Sequence, residues 1–386
     1  MTIYINDYAI TSPLGCGIEE TRKNLFSGDS PGMRPTDRYS PGRSLYLGQV
    51  IDALPDLAET PLKHRSRNNQ LLLASFNQIE DRFTQISKGI EKSRIAVIIG
   101  SSTSGISDEE EVFPYAMEHK KFPDSFDLAQ RLFCSPANFL AERLGITGPA
   151  YGISTACTSS AKAIISGARL LKSGMVDLVI AGGVDTLCKF TVAGFTSIES
   201  VSEGRCNPLS VNRSGINIGE GSALFILSRE PGGISIAGWG ESSDGYHISA
   251  PDPEGNGGEI AIKSALSMAN KQCNQIEYIN LHGTGTNHND AMESKLVNRM
   301  GFGCPVSSTK ALTGHTLGAA GAIEAAISCL TLDGDGHLPP HVWDEVLDSA
   351  LPLLNLSTKL PSSPKVVMSN NFAFGGNNTS LILEKV

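Results

Sequence analysis

Residues 94–100 read RIAVIIG, a short apolar run that ends in glycine, and runs of this kind decide the fold class. Four more follow, at 177–183 (DLVIAGG), 234–240 (ISIAGWG), 276–283 (IEYINLHG) and 366–376 (VVMSNNFAFGG). Continuous apolar runs of this length are typical of buried parallel strands, with helices as the connections between them. Helical patterns lie at 70–83, 156–171, 259–270, 290–300 and 318–332. The sequence therefore predicts an α/β protein.

The composition indicates a folded globular protein with one large domain or two fused domains. The chain has 386 residues, of which 40% are hydrophobic and 18% charged. A single hydrophobic core rarely grows beyond about 300 residues, so an internal division is expected. The 31 basic and 40 acidic residues give a net charge of −9. Because nucleic-acid binders are usually basic, we expect no nucleic-acid partner.

The cysteines and the apolar runs together predict a cytoplasmic protein with reduced thiols. Eight cysteines are scattered along the chain without a CxxC pair or the Cys/His spacing of a metal site. This pattern disfavours a disulfide framework and a catalytic metal. The first residues, MTIYINDYAITSPLG, lack the basic and apolar regions of a signal peptide. No apolar run approaches the ~20 residues of a membrane span, so we expect a soluble chain.

The stretch SREPGG at 228–233 is the best candidate for a boundary between two halves. Glycine and proline interrupt the pattern of strands and helices there. Each half, 1–230 and 231–386, then holds several strands and helices. A duplicated architecture is therefore expected, although no repeat of residues is visible.

Small residues surround a cysteine in the stretch GISTACTSS at 152–160, where a helical pattern begins. Free backbone N–H groups and the positive end of the helix dipole lower the pKa of a cysteine in such a place. Cys157 is therefore a candidate nucleophile. The alternative, a buried cysteine that packs as a small hydrophobic residue, is about equally common for such a motif.

Two histidines lie in stretches rich in glycine, threonine and alanine. His282 belongs to NLHGTGT at 280–286, directly after an apolar strand, and His315 belongs to SSTKALTGHTLGAAG at 307–321. Residues at strand ends and in glycine-rich loops commonly face a cleft. Lys310 precedes His315, and Glu324 follows it within an apolar helix. A fourth motif, SNNFAFGGNN at 369–378, places two glycines after a strand, where the backbone can approach a ligand closely.

The four motifs together resemble those of the β-ketoacyl-[acyl carrier protein] synthases, condensing enzymes with a Cys-His-His site. The resemblance extends from about residue 4 to residue 383 and includes NPLSVNRSGINIGEGSALFIL at 207–227. It implies a thiolase-type fold in which two pseudo-duplicated βα halves form α-β-α-β-α layers. The chain is most similar to the free-standing, elongating (type II) enzymes. Within these, GVDTLC at 183–188 and YHIS at 246–249 resemble ketosynthases of aryl-polyene pathways.

The resemblance also implies how the site acts. The Cys157 thiolate takes the acyl group from acyl-ACP as a thioester, and the backbone N–H groups of Cys157 and Phe374 form an oxyanion hole. Malonyl-ACP then loses CO2, and its enolate attacks the acyl-cysteine. His282 and His315 donate N–H groups to the enolate oxygen. Lys310 is expected behind His315, where it tunes this histidine, and Phe374 is expected to act as a gate.

Further residues receive roles from the same resemblance. Thr284 and Thr286 correspond to threonines that bind the phosphopantetheine arm of the substrate. A structural monovalent cation or a water is expected at Asn280, Glu324, Ser369 and Asn370. Ala373 replaces a family glycine beside the gate and is expected to stiffen it. Leu209, Ser210 and Ile216 replace a Phe-Asp pair and a Phe, so a changed acyl pocket is expected around them.

The resemblance names the partners as well. An acyl carrier protein is acidic and needs a basic patch on an acidic ketosynthase, and the densest basic cluster is Lys63, Arg65 and Arg67. The alternative is that these cations bind no partner and simply face solvent at the start of a helix. A homodimer, or a heterodimer with a ketosynthase-like chain-length factor, is expected. No cofactor is expected beyond the possible cation, because the substrates arrive on the 4′-phosphopantetheine of the carrier.

The predicted function is a decarboxylative Claisen condensation that elongates chains in an aryl-polyene or other specialised polyketide pathway. Housekeeping fatty-acid elongation is the nearer alternative, and the altered pocket residues disfavour it. A non-catalytic chain-length factor would lack the nucleophile, whereas Cys157 is present. A thiolase would carry a second catalytic cysteine in a late glycine-rich motif, where this chain has Asn371-Phe372-Ala373.

Overall fold

A computed structural model describes residues 1–386. The strands are β1 (Ile3–Ser12), β2 (Gly15–Cys16), β3 (Met33–Thr36), β4 (Leu45–Gly48), β5 (Ile95–Gly100), β6 (Ala150–Ile153), β7 (Leu178–Asp185), β8 (Gly221–Ser228), β9 (Ile234–Ser243), β10 (Tyr278–Asn280), β11 (Val306–Ser307), β12 (Val366–Phe372) and β13 (Asn377–Lys385). The α-helices are α1 (Ile18–Ser27), α2 (Arg67–Ile86), α3 (Ile106–His119), α4 (Ser135–Leu144), α5 (Ser159–Lys172), α6 (Lys189–Ser197), α7 (Asn256–Ala269), α8 (Asn287–Arg299), α9 (Lys310–Thr313) and α10 (Ala320–Leu332). Short 3-10 turns lie at Leu62–His64, Lys92–Arg94, Leu128–Arg131, Cys273–Gln275, Leu317–Ala319 and Phe374–Gly376.

The main sheet consists of two five-stranded arrays with the same order and the same strand directions. The first array runs β1-β8-β7-β5-β6 and the second runs β9-β13-β12-β10-β11. In each array the first two neighbouring pairs are antiparallel and the last two are parallel. The arrays meet where β1 pairs with β9 along Ile3–Ile5. This repeat is the duplication that the resemblance implies.

The helices and the arrays form five layers. The central core contains α5 and α10 with the facing sides of both arrays, and all residues of α10 are buried. One outer core packs α2 and α4 on the first array, and the other packs α7 and α8 on the second. The predicted α-β-α-β-α arrangement is confirmed. None of these helices has the length and apolarity that a membrane span requires.

The predicted helices all form, and each begins and ends within three residues of its prediction. The expectation of parallel strands is wrong for β9, which runs antiparallel to both of its neighbours. The physical reason is that helices cover both faces of each array. A strand buried on both faces is a continuous apolar run whatever its direction, so the run does not fix the direction.

Candidate active site

Cys157 lies in a sharp turn between β6 and α5. Ala156, the residue before it, has φ of 53°, in the left-handed region that larger side chains rarely adopt. The hydroxyl of Ser159 accepts the N–H of Thr155 at 2.9 Å and donates to the carbonyl of Ala156. The small residues of this stretch therefore allow a turn that presents the buried Cys157 thiol at the bottom of a cleft.

His315 lies against Cys157. Its Nε2 is 3.0 Å from the Sγ of Cys157. The backbone N–H of His315 donates to the carbonyl of Asn217 at 2.6 Å, and the carbonyl of His315 accepts the N–H of Gly219. The imidazole is therefore held at hydrogen-bonding distance from the thiol by the polypeptide on either side of it.

His282 lies close to both His315 and Cys157. Its ring lies 5.3 Å from that of His315 and is nearly perpendicular to it. The sulfur of Cys157 and one ring nitrogen from each of His282 and His315 all lie within 4.8 Å of one another. Glu293 of α8 accepts the N–H groups of His282 and Gly283, each at 2.7 Å. Glu293 was not predicted from the sequence as a residue that holds this loop. Its role depends on the burial of its carboxylate, which the sequence does not show.

Lys310 lowers the pKa of His315, as the resemblance implies, but its direct contact is with His282. Its ammonium group lies 3.3 Å from the Nδ1 of His282 and forms an ion pair with the buried Glu324. An ammonium group only donates, so Nδ1 of His282 accepts, and the proton of the neutral ring is on Nε2. Glu324 also accepts from the side-chain amide of Asn371. Lys310 therefore fixes the tautomer of His282.

Burial controls the protonation of Cys157, His282 and His315. It raises the pKa of the Cys157 thiol to about 12, although Lys310 and the N–H of Phe374 act in the other direction. The helix-terminus expectation of a lowered thiol pKa is therefore wrong in the free protein. Burial, assisted by Lys310, also lowers the pKa of His282 and of His315 well below the usual value. Both imidazoles are accordingly neutral near pH 7.

The cleft above Cys157 is lined by both apolar and polar side chains. The rings of Phe374 and Phe195 lie 5.6 Å apart, and Ile216 also lines the cleft, as predicted for a pocket residue. Leu209 does not: it belongs to the outer core of the second half, because its neighbourhood packs on α8. The remaining lining residues are Cys157, Ser200, Ser249, Pro251, His282, Thr284, Thr286, His288, Asn289, His315, Phe372 and Ala373.

Thr284 and Thr286 lie on one wall of this cleft. Their hydroxyl oxygens are 2.9 Å apart. Thr286 is also the N-cap of α8, since its hydroxyl accepts the N–H of Asn289 at 3.4 Å. Thr286 therefore combines a place in the cleft with an ordinary helix-capping contact.

Buried polar groups cluster beneath the site on β10 and β12. Asn280 and Ser369 are paired in register on these strands, with Asn370 next to them. Their side-chain polar atoms are buried without a hydrogen-bond partner. Neutral oxygens of this kind suit a hard monovalent cation or a water. Glu324 fits such a group less well than predicted, because Lys310 and Asn371 already occupy its two oxygens.

The three residues of the predicted basic patch have different surroundings. Arg67 is turned inward, and its guanidinium pairs with the fully buried Glu220. Lys63 pairs at the surface with Glu142 at 2.8 Å, and Arg65 is exposed. Arg67 is therefore committed to an internal ion pair, which leaves Lys63 and Arg65 as the accessible cations.

Two family models match the chain, and the solved structures match its whole length. The N-terminal domain of beta-ketoacyl synthases matches residues 63–231, and the C-terminal domain matches residues 234–343. A ketosynthase (ApeO) from Xenorhabdus doucetiae, solved in complex with its chain length factor (ApeC), is 44% identical with a TM-score of 0.95. The alignment covers 100% of this chain and 98% of that one.

Two further relatives, one from a bacterium and one from a plant, are also similar to this chain. A beta-ketoacyl synthase from Burkholderia phymatum is 27% identical with a TM-score of 0.90, over 100% of this chain and 99% of that chain. The mitochondrial 3-oxoacyl-[acyl-carrier-protein] synthase of Arabidopsis thaliana is 31% identical over 431 residues, which cover 100% of this chain and 93% of that protein. Each likeness therefore spans both halves of the fold and the whole cleft between them.

Proposed function

The chain belongs to the β-ketoacyl synthase family, and on that premise we propose that it elongates acyl chains in an aryl-polyene or related polyketide pathway. As a type II ketosynthase it is an acyltransferase that forms carbon–carbon bonds between an acyl thioester and malonyl-ACP. The observation that carries the proposed assignment of the site is the convergence of Cys157, His282 and His315 at the bottom of one cleft.

Acyl transfer to Cys157 is the first step. The thiol is protonated in the free protein, and Nε2 of His315 lies 3.0 Å away to accept its proton as sulfur attacks the acyl-ACP thioester. The backbone N–H groups of Cys157 and Phe374 receive the developing oxyanion. The proton then passes to the departing pantetheine sulfur, which leaves an acyl-Cys157 thioester and a neutral His315.

Condensation with the malonyl unit is the second step. Loss of CO2 from malonyl-ACP leaves an enolate, whose carbon attacks the acyl-Cys157 carbonyl and releases the cysteine thiolate. The Nε2–H of His282, set by Lys310 on the opposite nitrogen, donates to the enolate oxygen. His315 leaves the first step with its proton on Nδ1, so it provides a second donor only after this proton has moved to Nε2. Neutral imidazoles suit this step because they stabilise the oxygen without a net proton transfer.

The polyene specialisation is supported by similarity and by one pocket residue. The relative from Xenorhabdus doucetiae shares 44% of its residues with this chain, more than the Arabidopsis synthase does. Ile216 lines the cleft where the family commonly has a phenylalanine. Housekeeping fatty-acid elongation is the second candidate, and a non-catalytic chain-length factor is disfavoured by the complete Cys-His-His set.

A second ketosynthase-like chain, either a copy of this one or a chain-length factor, is proposed as the partner. Exposed apolar side chains lie on α3, on α6 and on the segment before α4: Phe113, Met117, Leu128, Leu132, Phe133 and Phe190. Strand β6, at the edge of the first array, has an unpaired side and half-exposed residues. Apolar surface of this extent together with a free strand edge is typical of a protein interface.

The carrier and the internal organisation complete the proposal. Lys63 and Arg65 are the cations that we assign to docking of the acidic carrier protein. Residues 1–230 and 231–386 are proposed as the two halves, with the nucleophile in the first and both histidines in the second. The cation proposed at Asn280, Ser369 and Asn370 is structural, and no reaction step passes through it.

Intact-mass analysis tests the function. The chain, alone and with a candidate chain-length factor, is incubated with saturated and polyenoyl acyl-ACPs, next to a Cys157→Ala variant. A mass gain of one acyl group on the wild type only, stronger with polyenoyl chains, is expected. Equal loading of saturated chains would assign the chain to fatty-acid elongation. No loading by any acyl-ACP with the partner present would overturn the enzymatic proposal in favour of a structural partner.

A further inference from the structure

One wall of the cleft is built from a single segment, residues 282–289. His282, Thr284, Thr286 and His288 all line the cleft, each two positions from the next. Exposure rises along this series: His282 and Thr284 are buried, Thr286 is half-buried, and His288 is exposed. The segment therefore leads from the reacting atoms at the bottom of the cleft to solvent at its mouth.

His288 differs from the other ionisable side chains of the cleft. Cys157, His282 and His315 are buried in its interior, whereas His288 is exposed at its mouth. An imidazole N–H bound to an anionic oxygen makes a short, charge-assisted hydrogen bond. His288 is thus the one ionisable group of the cleft that an anionic part of a ligand can reach without entering the interior.

The substrate arm is long enough to span this wall. Six residues separate His282 from His288, which limits the distance between them to less than ~20 Å, and the left-handed Gly283 and Gly285 and the start of α8 shorten it further. A 4′-phosphopantetheine arm measures roughly 16 Å from sulfur to phosphorus when extended, with standard bond lengths. With its sulfur beside Cys157, the arm therefore places its phosphate near the mouth.

We infer that His288 binds the phosphate of the 4′-phosphopantetheine arm, an inference that rests on the proposed function. His288 is a binding residue and touches no reacting atom, so it lowers KM and leaves the chemical step unchanged. The same phosphate is present on arms carried by the carrier protein and by coenzyme A. The group recognised is accordingly the arm itself, separate from the carrier surface that Lys63 and Arg65 contact.

Steady-state decarboxylation with small substrates tests this inference. Malonyl-pantetheine 4′-phosphate, malonyl-pantetheine without the phosphate, and malonyl-CoA are compared on the assembled enzyme with its partner. We expect His288→Ala to raise KM for the two phosphate-bearing substrates by about tenfold, the scale of one hydrogen bond to a charged group. Its kcat, and its KM for the substrate without phosphate, stay unchanged. His288→Arg restores the preference for phosphate, and His337→Ala, an exposed histidine outside the cleft, serves as the matched control.

The outcomes separate this inference from the function on which it rests. No decarboxylation by the wild type with any malonyl thioester would remove the proposed function itself. Wild-type turnover in which His288→Ala changes KM equally with and without the phosphate would overturn the phosphate contact alone. A tenfold rise for coenzyme A and the phosphorylated arm together, absent for malonyl-pantetheine, supports it. A rise with malonyl-CoA only would assign His288 to the nucleotide instead, and would also overturn it.

Discussion

The thiol of Cys157 lies beside His315, but its raised pKa disfavours the thiolate form. Burial raises this pKa to about 12, and Lys310 is the main group that lowers it. We therefore expect the rate of alkylation of Cys157 by iodoacetamide to rise about tenfold per pH unit from pH 7 to pH 9, because the thiolate fraction does so below the pKa. Lys310→Met raises the pKa further and slows alkylation at every pH.

Mass spectrometry of the Cys157 peptide at timed intervals measures this rate. The exposed fraction of the other cysteines differs, so the Cys157 peptide is followed separately from them. A rate that reaches its plateau near pH 7 would contradict a raised pKa and favour a thiolate already present in the free protein.

Lys310 and Glu324 form an ion pair with side chains only 1% and 2% exposed. Removing one partner leaves a buried charge without compensation, which typically costs about 3–5 kcal/mol. We expect Lys310→Met to lower the free energy of unfolding by about this amount, and Lys310→Met/Glu324→Gln to recover a substantial part of it. Urea denaturation measures both. Equal losses in the single and double variants would show that the pair acts through packing alone.

The segment Phe374–Gly376, to which the resemblance assigns the gate, is a short element with an unusual backbone. Gly375 and Gly376 have φ of 81° and 75°, and the N–H of Gly375 donates to the carbonyl of Ile248 at 2.8 Å. Ala373, just before them, has an extended backbone that any residue adopts. An alanine therefore restricts the unfolded chain without strain in the folded one.

Ala373→Gly is the variant that tests this element. We expect a loss of about 0.4–1 kcal/mol in the free energy of unfolding, because the glycine gains freedom in the unfolded state. A looser gate is expected to speed condensation more than acyl loading in single-turnover measurements. An unchanged ratio of the two rates would show that Ala373 does not control the gate.

On the scale of the whole molecule, Asp185 joins the two halves at the site. Its carboxylate, at the end of β7, accepts from Ser101, Ser102 and Thr103 after β5. It also accepts the N–H of Gly318, three residues after His315, at 2.6 Å. A fully buried carboxylate of the first half therefore fixes the segment of the second half that carries His315.

Asp185→Asn replaces a carboxylate, which only accepts hydrogen bonds, by an amide whose NH2 group donates them. Its side-chain NH2 then faces backbone N–H groups, and each unsatisfied donor costs about 1–3 kcal/mol. We expect a lower melting temperature and a loss of malonyl decarboxylation in the protein that remains folded. Asp177→Asn, which breaks a surface pair with Arg94 and Arg229 before the same strand, is the matched control. Equal activity in both variants would contradict a positioning role for Asp185.

The helices, the buried strands and the three reactive residues follow from the sequence itself. An apolar run or a helical period is a local property, and each forms wherever its neighbours in the chain allow it. The stretches around Cys157, His282 and His315 are also local, since their small residues set the turns and loops that present a side chain. For this reason the fold class and the stretches that carry Cys157, His282 and His315 could be predicted before any contact was known, whereas the roles of these three residues came from the resemblance to a family.

The tertiary structure alone decided the direction of β9, the partner of Lys310, the inward turn of Arg67 and the role of Glu293. It also reversed the expected pKa shift of Cys157. Each of these depends on which groups packing brings together and removes from water. A charged side chain is drawn to whichever opposite charge lies within reach after folding, and a thiol is desolvated by residues far away in the sequence. Such effects arise between segments, so no single stretch of the chain encodes them.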